Sequence, residues 1–379
     1  MFYLDNAATT RPLDCVCDKM DHTFRNMFGN PSALYSLGVD AEKEINEVRS
    51  LVASVLKVKD KNIYFTSSAT ESNNIAIRGY LDANSKAGNH IICSSIEHPS
   101  VMEVFKAMGE TGWDVDHIPV NNEGVIDLEA FERLLREDTV LVSVMAVNNE
   151  TGAIQPFDEI KKIIRKKRSK AALHVDCVQA FTKIAVSPVK MGIDMLTVSG
   201  HKIFGPKGVS CVYISDGIRF RPVTYGGGQE KGIRPGTENV PAIAGFGTAV
   251  KYMFDNFEYT GQRYSILKEI FVNDIKQKVN KTDPVFISND RCVPNIISVS
   301  FPGIRSEVLL HHLEQRDVYV SSGSACSNNK SGKSYVLKEM NYDKTISDAV
   351  LRISPSFLMT DDEMKSAVTI IADVVNMLA

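Results

Sequence analysis

No apolar run in this 379-residue chain approaches the roughly 20 residues a helix needs to cross a bilayer, and even Val140 to Val147 falls far short. No secretory segment is expected either, because MFYLDNAATT sets Asp5 and Asn6 where apolar residues would be required. A cytoplasmic location is the expectation. Charge of one sign is not in excess. With 43 lysines and arginines against 46 aspartates and glutamates, the formal charge is -3, which gives no global attraction to nucleic acid or an anionic membrane. The basic run KKIIRKKRSK, Lys161 to Lys170, lacks interleaved aromatics and reads as a solvated helix face rather than an RNA contact. Zinc-like paired cysteines are also absent. The seven cysteines (Cys15, Cys17, Cys93, Cys177, Cys211, Cys292, Cys326) are odd in number, against a secreted disulfide framework. Cys15 and Cys17 form a C-x-C pair, but structural zinc usually needs four ligands, and the eight histidines show no H-x-x-x-H spacing, so no metal site is expected. There is no internal repeat and no low-complexity tract.

What the chain does contain is alternation. The length suggests two or three domains. Between about residues 60 and 215, short β-rich runs (Ile63 to Thr66, His90 to Ser94, Val140 to Val147, Ala172 to Asp176, Met195 to Ser199, Val209 to Ile214) alternate with helical patterns. That pattern predicts a parallel sheet covered by helices, an α/β fold. Polar and glycine residues gather where these runs end, in SSATESNN, SSIEHPS, NNETG, VDCVQA and SGHKIFGPKG, and ligands of open α/β sheets bind beyond the carboxyl ends of the strands. After GGGQEKGIRPGTEN, Val240 to Asn280 reads as long helices leading to a second domain. That domain has a strand at Asn295 to Phe301, a helix at Ser306 to Gln315, a strand at Val350 to Ile353 and a final helix from about Asp361.

Three residues at the strand ends carry recognisable chemistry. Lys202 follows an apolar run among small and polar residues; alone, a lysine there would be a solvated loop residue. Asp176 ends another run, where a turn or helix cap is the commonest use of Asp. Thr70 opens a helix whose unpaired N–H groups and dipole favour a phosphate, though a plain cap would use the same residue and Glu71 stands beside it. Together they meet what pyridoxal phosphate asks of a protein: a lysine amine, an acid facing the pyridine nitrogen, and phosphate donors.

The longer motifs point to a family. YLDNAATT at Tyr3 to Thr10, FGNPSALYSLG at Phe28 to Gly38, ATESNN, SSIEHPSV, NNETGAIQP, HVDCVQA, SGHKIFGPKG, GGGQEKGIRPGTEN and SSGSAC run in order along nearly the whole chain. They resemble the cysteine desulfurases of the NifS and IscS type. The resemblance implies an aspartate-aminotransferase-like, type I pyridoxal phosphate fold. Its large cofactor domain, with a mainly parallel sheet, would span residues 13–255, and a small α+β domain would comprise 1–12 and 256–379. It also implies a homodimer with shared active sites. Carried over position by position, it makes Lys202 the cofactor-anchoring lysine and base, His98 the imidazole stacked on the pyridine ring, Asp176 the partner of the ring nitrogen and Gln179 that of the phenolic oxygen. Thr70, Ser199 and His201 would hold the phosphate, with Thr237 reaching over from the other subunit. Arg352, with Asn149 and Asn30, would bind the carboxylate of the L-cysteine substrate, which suits a planar guanidinium fork. Cys326 would receive the sulfur as a persulfide, leaving L-alanine, for delivery to an acceptor protein.

Cys326 sits among residues almost none of which is large and apolar, unlike a packing cysteine. A thiol with pKa of about 8.5 is roughly a tenth ionised at pH 7.5, so full ionisation gains only about tenfold. Effective molarities of about 10⁵ M make delivery of Cys326 to the substrate the larger effect. Departures from the family pattern are Ser68 before the Ala-Thr pair, Phe357 where a second arginine is common, and an end at Ala379 without the scaffold-binding tail of IscS-type enzymes. Iron–sulfur assembly and tRNA or cofactor thiolation therefore both stand as destinations. Rival readings on the same scaffold are a selenocysteine lyase, which would keep Cys326, and an aminotransferase-like enzyme, which would not need it. A non-catalytic sulfur-relay scaffold is opposed by the intact set Lys202, Asp176, His98 and Cys326.

Overall fold

The computed structural model describes residues 1–322 and 334–379, so Cys326 lies outside the described residues. Strand β1 (Phe2–Tyr3) precedes a seven-stranded sheet made of β2 (Ile63–Thr66), β3 (His90–Ser94), β4 (Asp114–Ile118), β5 (Thr139–Ser143), β6 (Ala172–Asp176), β7 (Met195–Ser199) and β8 (Ser210–Ile214). The spatial order is β2-β8-β7-β6-β5-β3-β4. Only β8 runs against its neighbours, pairing antiparallel with both β2 and β7. Every residue of β3, β5, β6, β7 and β8 is buried, as in sheets covered on both faces. Alternation sorts the side chains: Ile92, Val142 and Val175 join the main core, whereas Ile91, Leu141 and Val212 pack beneath the helices on the opposite face.

The expected strands are present, with two differences. Val140 to Val147 leaves the ladder after Ser143, although the Val144 and Ala146 N–H groups still donate to the carbonyls of His174 and Asp176. The sequence Asp-Val-Asp-His-Ile forms an additional edge strand, β4, whose outer residues are exposed and so give no apolar run.

Helix Val240–Asp255, expected to leave the sheet, instead packs its apolar face in the main core, and Phe257–Lys278 then carries the chain to a second core. There β9 (Val285–Phe286), β10 (Ile297–Ser300), β12 (Ser321–Ser322) and β13 (Val350–Ile353) form an antiparallel sheet, while β11 (Val318–Tyr319) pairs parallel with β1. Leu267, Phe271, Val299, Leu351, Val368 and Ile371 fill this core, joined by Leu4 from the chain's start. Residues 4 to 7 thus pass from one core to the other, since Ala7 packs in the main one. No helix among the described residues is long and apolar enough to cross a membrane.

A buried ion pair holds the glycine-rich loop to the sheet. Arg49 grips Glu230 with two bonds of 2.7 and 2.8 Å, and Glu230 also accepts from the Phe65 N–H at 2.8 Å. Breaking a buried pair by removing one partner strands the other charge. Arg49→Leu is expected to cost about 3–5 kcal/mol in denaturant unfolding; a loss below about 1 kcal/mol would contradict the assignment.

Candidate active site

The carboxyl ends of β6 and β7 and the loops after β3 and β5 surround a cleft of about 250 Å³, closed on one side by Ala7 and Ala8 and on another by Arg352. A larger groove of about 700 Å³, lined by Phe157, Phe181, Phe254 and Phe257, contains none of the candidate residues.

Lys202 ends a single helical turn, Gly200–Lys202, directly after β7. The turn is tight: a Cβ at Gly200 would lie 3.0 Å from the Pro206 carbonyl oxygen. The turn aims Lys202 Nζ across the cleft mouth to the carbonyls of Ala7 and Ala8, each at 2.6 Å. Asp176, the last residue of β6, is 5 % exposed. Its Oδ1 accepts from the Val178 N–H at 3.0 Å and its Oδ2 from Asn73 Nδ2 at 2.9 Å. The same Asn73 nitrogen donates to Ser100 Oγ at 2.8 Å, and Ser100 Oγ lies 2.8 Å from His98 Nδ1. His98 Nδ1 also accepts from the Ser100 N–H, capping helix Pro99–Glu110. Burial holds the His98 imidazole below its ordinary pKa; Asp176 opposes this and the charge of Lys202 reinforces it. His201, whose Nδ1 is 3.2 Å from Thr9 Oγ1, is pushed down to about 4 by burial and by the lysine charges nearby.

Thr70 lies in the first turn of helix Ala69–Asn84, capped by Ser68, whose Oγ accepts from the Glu71 N–H at 3.2 Å. The amides of Ala69 and Thr70 have no acceptor inside the helix, and both residues line the cleft. The neighbouring acid does not spoil this end. Glu71 turns to the Ser67 N–H and to Arg234, 3.1 Å away. Gln179 lines the cleft, with Nε2 on the Ala7 carbonyl at 2.9 Å and Oε1 buried without a partner.

Arg352 comes from β13 in the second core and is 1 % exposed. Its Nη1 donates to the Asn149 carbonyl at 2.9 Å and its Nη2 to Asp5 Oδ1 at 2.7 Å, while Nε is buried without a partner. A guanidinium in that position has donor capacity left for an incoming carboxylate.

Lys202, His98, Asp176, Gln179, Thr70, His201, Asn149 and Arg352 therefore share one cleft. Three candidates do not line it. Ser199 is buried at the end of β7. Asn30 is in an exposed turn, accepting from the Ser32 N–H. Thr237 lines a separate cavity with Ser67, Glu230 and Arg234. Sequence reasoning missed Asp5, Asn73, Glu97 and Glu150. All four were visible only as members of longer motifs, DNAATT, ESNN, SSIEHPSV and NNETGAIQP. Glu97 carries the clearest physical signature: wholly buried, it accepts from Ser94 Oγ at 2.5 Å and the Met145 N–H at 2.6 Å, and burial pushes it up to about 8.

This chain matches the family model for class-V aminotransferases over residues 2–366. It is 36 % identical to a cysteine desulfurase, IscS 1, of Archaeoglobus fulgidus, across 100 % of this chain and 98 % of that protein. A putative cysteine desulfurase of Bacillus subtilis is 36 % identical over 99 % of both. A solved NifS-like protein superposes with a TM-score of 0.93 at 36 % identity over 99 % of both chains. A structure described as SspA in complex with cysteine gives 0.83 at 31 % identity, covering 95 % of this chain and all of that one. The fold is thus that of a class-V aminotransferase. The chain belongs to that family and, within it, to the cysteine desulfurases.

The Glu97 carboxyl ionises near its ordinary value of 4.5 in the unfolded chain but only at about 8 when folded. Its contribution to stability is complete below 4.5 and is lost as pH rises towards 8. Each pH unit in that window weakens the fold by about 1.4 kcal/mol. Glu97→Gln cannot ionise, so its stability relative to wild type should climb with pH across the window in unfolding titrations. A pH-independent difference would contradict the burial argument.

Proposed function

We propose that this enzyme uses pyridoxal phosphate to convert L-cysteine to L-alanine, with Cys326 receiving the sulfur and passing it to an acceptor protein. The convergence of Lys202, Asp176, His98 and a partly unpaired, buried Arg352 in one cleft carries this reading. The residues fit the cofactor. Free amides at the start of helix Ala69–Asn84 and the Thr70 side chain suit its phosphate. Asp176 suits the ring nitrogen, an uncharged His98 suits stacking, and Gln179 has a buried polar atom still to satisfy. Bound there, pyridoxal phosphate supplies an electron sink for the charge left when a proton leaves the substrate.

The chain's own residues do the rest. Arg352 holds the substrate carboxylate, already oriented by the Asn149 carbonyl and Asp5. Lys202 Nζ takes the Cα proton. The Cys326 thiolate attacks the substrate sulfur, so that an S–S bond forms as the carbon–sulfur bond breaks. The carbon gains a proton in place of sulfur, and alanine leaves. No external oxidant is needed, because the carbon is reduced as the sulfur becomes the outer atom of a persulfide.

The other cysteines support Cys326 by their surroundings. Burial raises the Cys93, Cys177 and Cys211 thiols away from the thiolate. Cys15 and Cys17 lie on helix Asp14–Asn26, and neither lines the cleft. The shared-site homodimer remains part of the proposal, supported by Thr237 lying outside its own chain's cleft.

Cys326→Ala should bind the cofactor with the wild-type absorption spectrum yet release no alanine from cysteine. Borohydride reduction of the wild type should fix the cofactor to the peptide containing Lys202, and Lys202→Ala should not be labelled there. Full alanine production by the cysteine variant, or unchanged labelling of the lysine variant, would overturn the respective role.

A further inference from the structure

Loop 148–152 does more than present Asn149 to Arg352. Asn148 Oδ1 accepts from the N–H groups of Glu150 at 2.9 Å and Thr151 at 3.0 Å, which closes a tight turn. Gly152, at φ +79°, completes it in a conformation that favours glycine. The turn points two consecutive residues at different targets. The Asn149 carbonyl meets Arg352, while the Glu150 side chain accepts from Ser334 Oγ at 2.5 Å.

Ser334 is the first described residue after Cys326 and its neighbours. Its hydroxyl uses both of its capacities, donating to Glu150 and accepting from the Leu337 N–H at 3.1 Å to cap helix Tyr335–Glu339. A cap needs only the accepting half. The donating half is spent on a carboxyl that is 5 % exposed and costly to bury. Burial pushes Glu150 up to about 7, against the pull of this hydrogen bond and of the Arg352 charge. The helix is fastened twice more: the Tyr335 hydroxyl donates to the carbonyl of Glu97, next to His98, and Val336, Leu337 and Met340 are buried in the main core. On the other side of residues 323–333, Ser321 and Ser322 pair with Arg352 and Leu351.

We infer that Glu150 and Ser334 are a positioning pair for sulfur transfer, fixing the point where the chain after Cys326 enters the core relative to the arginine that holds the substrate. The inference rests on Cys326 being the sulfur acceptor. Physically, the contact holds the start of helix Tyr335–Glu339 against the loop whose Asn149 carbonyl orients Arg352, so the two keep one mutual placement, which the helix's other anchors do not by themselves set. A displacement of about 1 Å at a reacting centre can cost as much as 10²-fold in rate. Neither residue touches the cleft, so the pair acts through placement alone.

The test uses the cofactor-loaded, full-length enzyme. Cysteine is mixed with wild type, Glu150→Ala, Glu150→Gln and Ser334→Ala, and Cys326 persulfide is followed by quenched-flow mass spectrometry beside the steady-state KM. Glu150→Ala and Ser334→Ala should slow persulfide formation about tenfold or more, with the cofactor spectrum unchanged and KM within about twofold. Glu150→Gln, which keeps an acceptor for the Ser334 hydroxyl, should restore most of the rate. The double alanine variant should be no slower than either single one, because the two act as one contact. Wild-type persulfide kinetics in Glu150→Ala would overturn the inference alone, as would a loss shared equally by KM and cofactor uptake. If the wild type forms no persulfide on Cys326, the functional reading falls and the inference falls with it.

Discussion

A guanidinium that is 1 % exposed cannot be left without counter-charge, and Arg352 finds its partners in the Asn149 carbonyl and in Asp5, 347 positions earlier. The consequences spread from that contact. Pairing with Asp5 brings the chain's first residues onto β13, where the Ser354 N–H donates to the Leu4 carbonyl and Asn6 Nδ2 to the Ser354 carbonyl. The same passage sets the Ala7 and Ala8 carbonyls on Lys202 Nζ and the Ala7 carbonyl on Gln179. Arg352 from one core and Lys202 from the other are thereby tied to one short peptide.

Around this anchor, burial decides which groups carry charge. His98 is held below its usual value and His201 falls to about 4, while Glu97 rises to about 8 and Glu150 to about 7. Desolvation is the largest cause in all four, and it disfavours the charged form whichever sign that form has. Near neutral pH the two imidazoles and Glu97 are therefore uncharged. An uncharged ring at His98 suits stacking on a flat heterocycle, and an uncharged Glu97 can stay wholly buried without a cation partner.

Much of this architecture was legible from the residues. Runs such as Ala172 to Asp176 and Met195 to Ser199 are buried on both faces and carry no charged side chain before their last residue, so they announce themselves, and the candidate residues lie where they end. β4 escaped because an edge strand with polar alternate residues carries no such signal. Within the cleft, Lys202 and Asp176 were readable from their place after strands. The Asp5–Arg352 and Glu150–Ser334 contacts were not, since their partners lie 347 and 184 positions apart and no local period connects them. Asn30 and Thr237 mark a different limit: their motifs are distinctive, yet one chain's fold does not bring either to its own cleft.

The central claim is that the sulfur of cysteine moves onto this chain at Cys326 before it goes anywhere else. One turnover with cysteine carrying heavy sulfur, quenched and resolved peptide by peptide in a mass spectrometer, tests it most directly. The account predicts one labelled sulfur on the peptide containing Cys326 for each alanine formed. Alanine formed without label on the protein, or label on Cys15 or Cys17 instead, would contradict it.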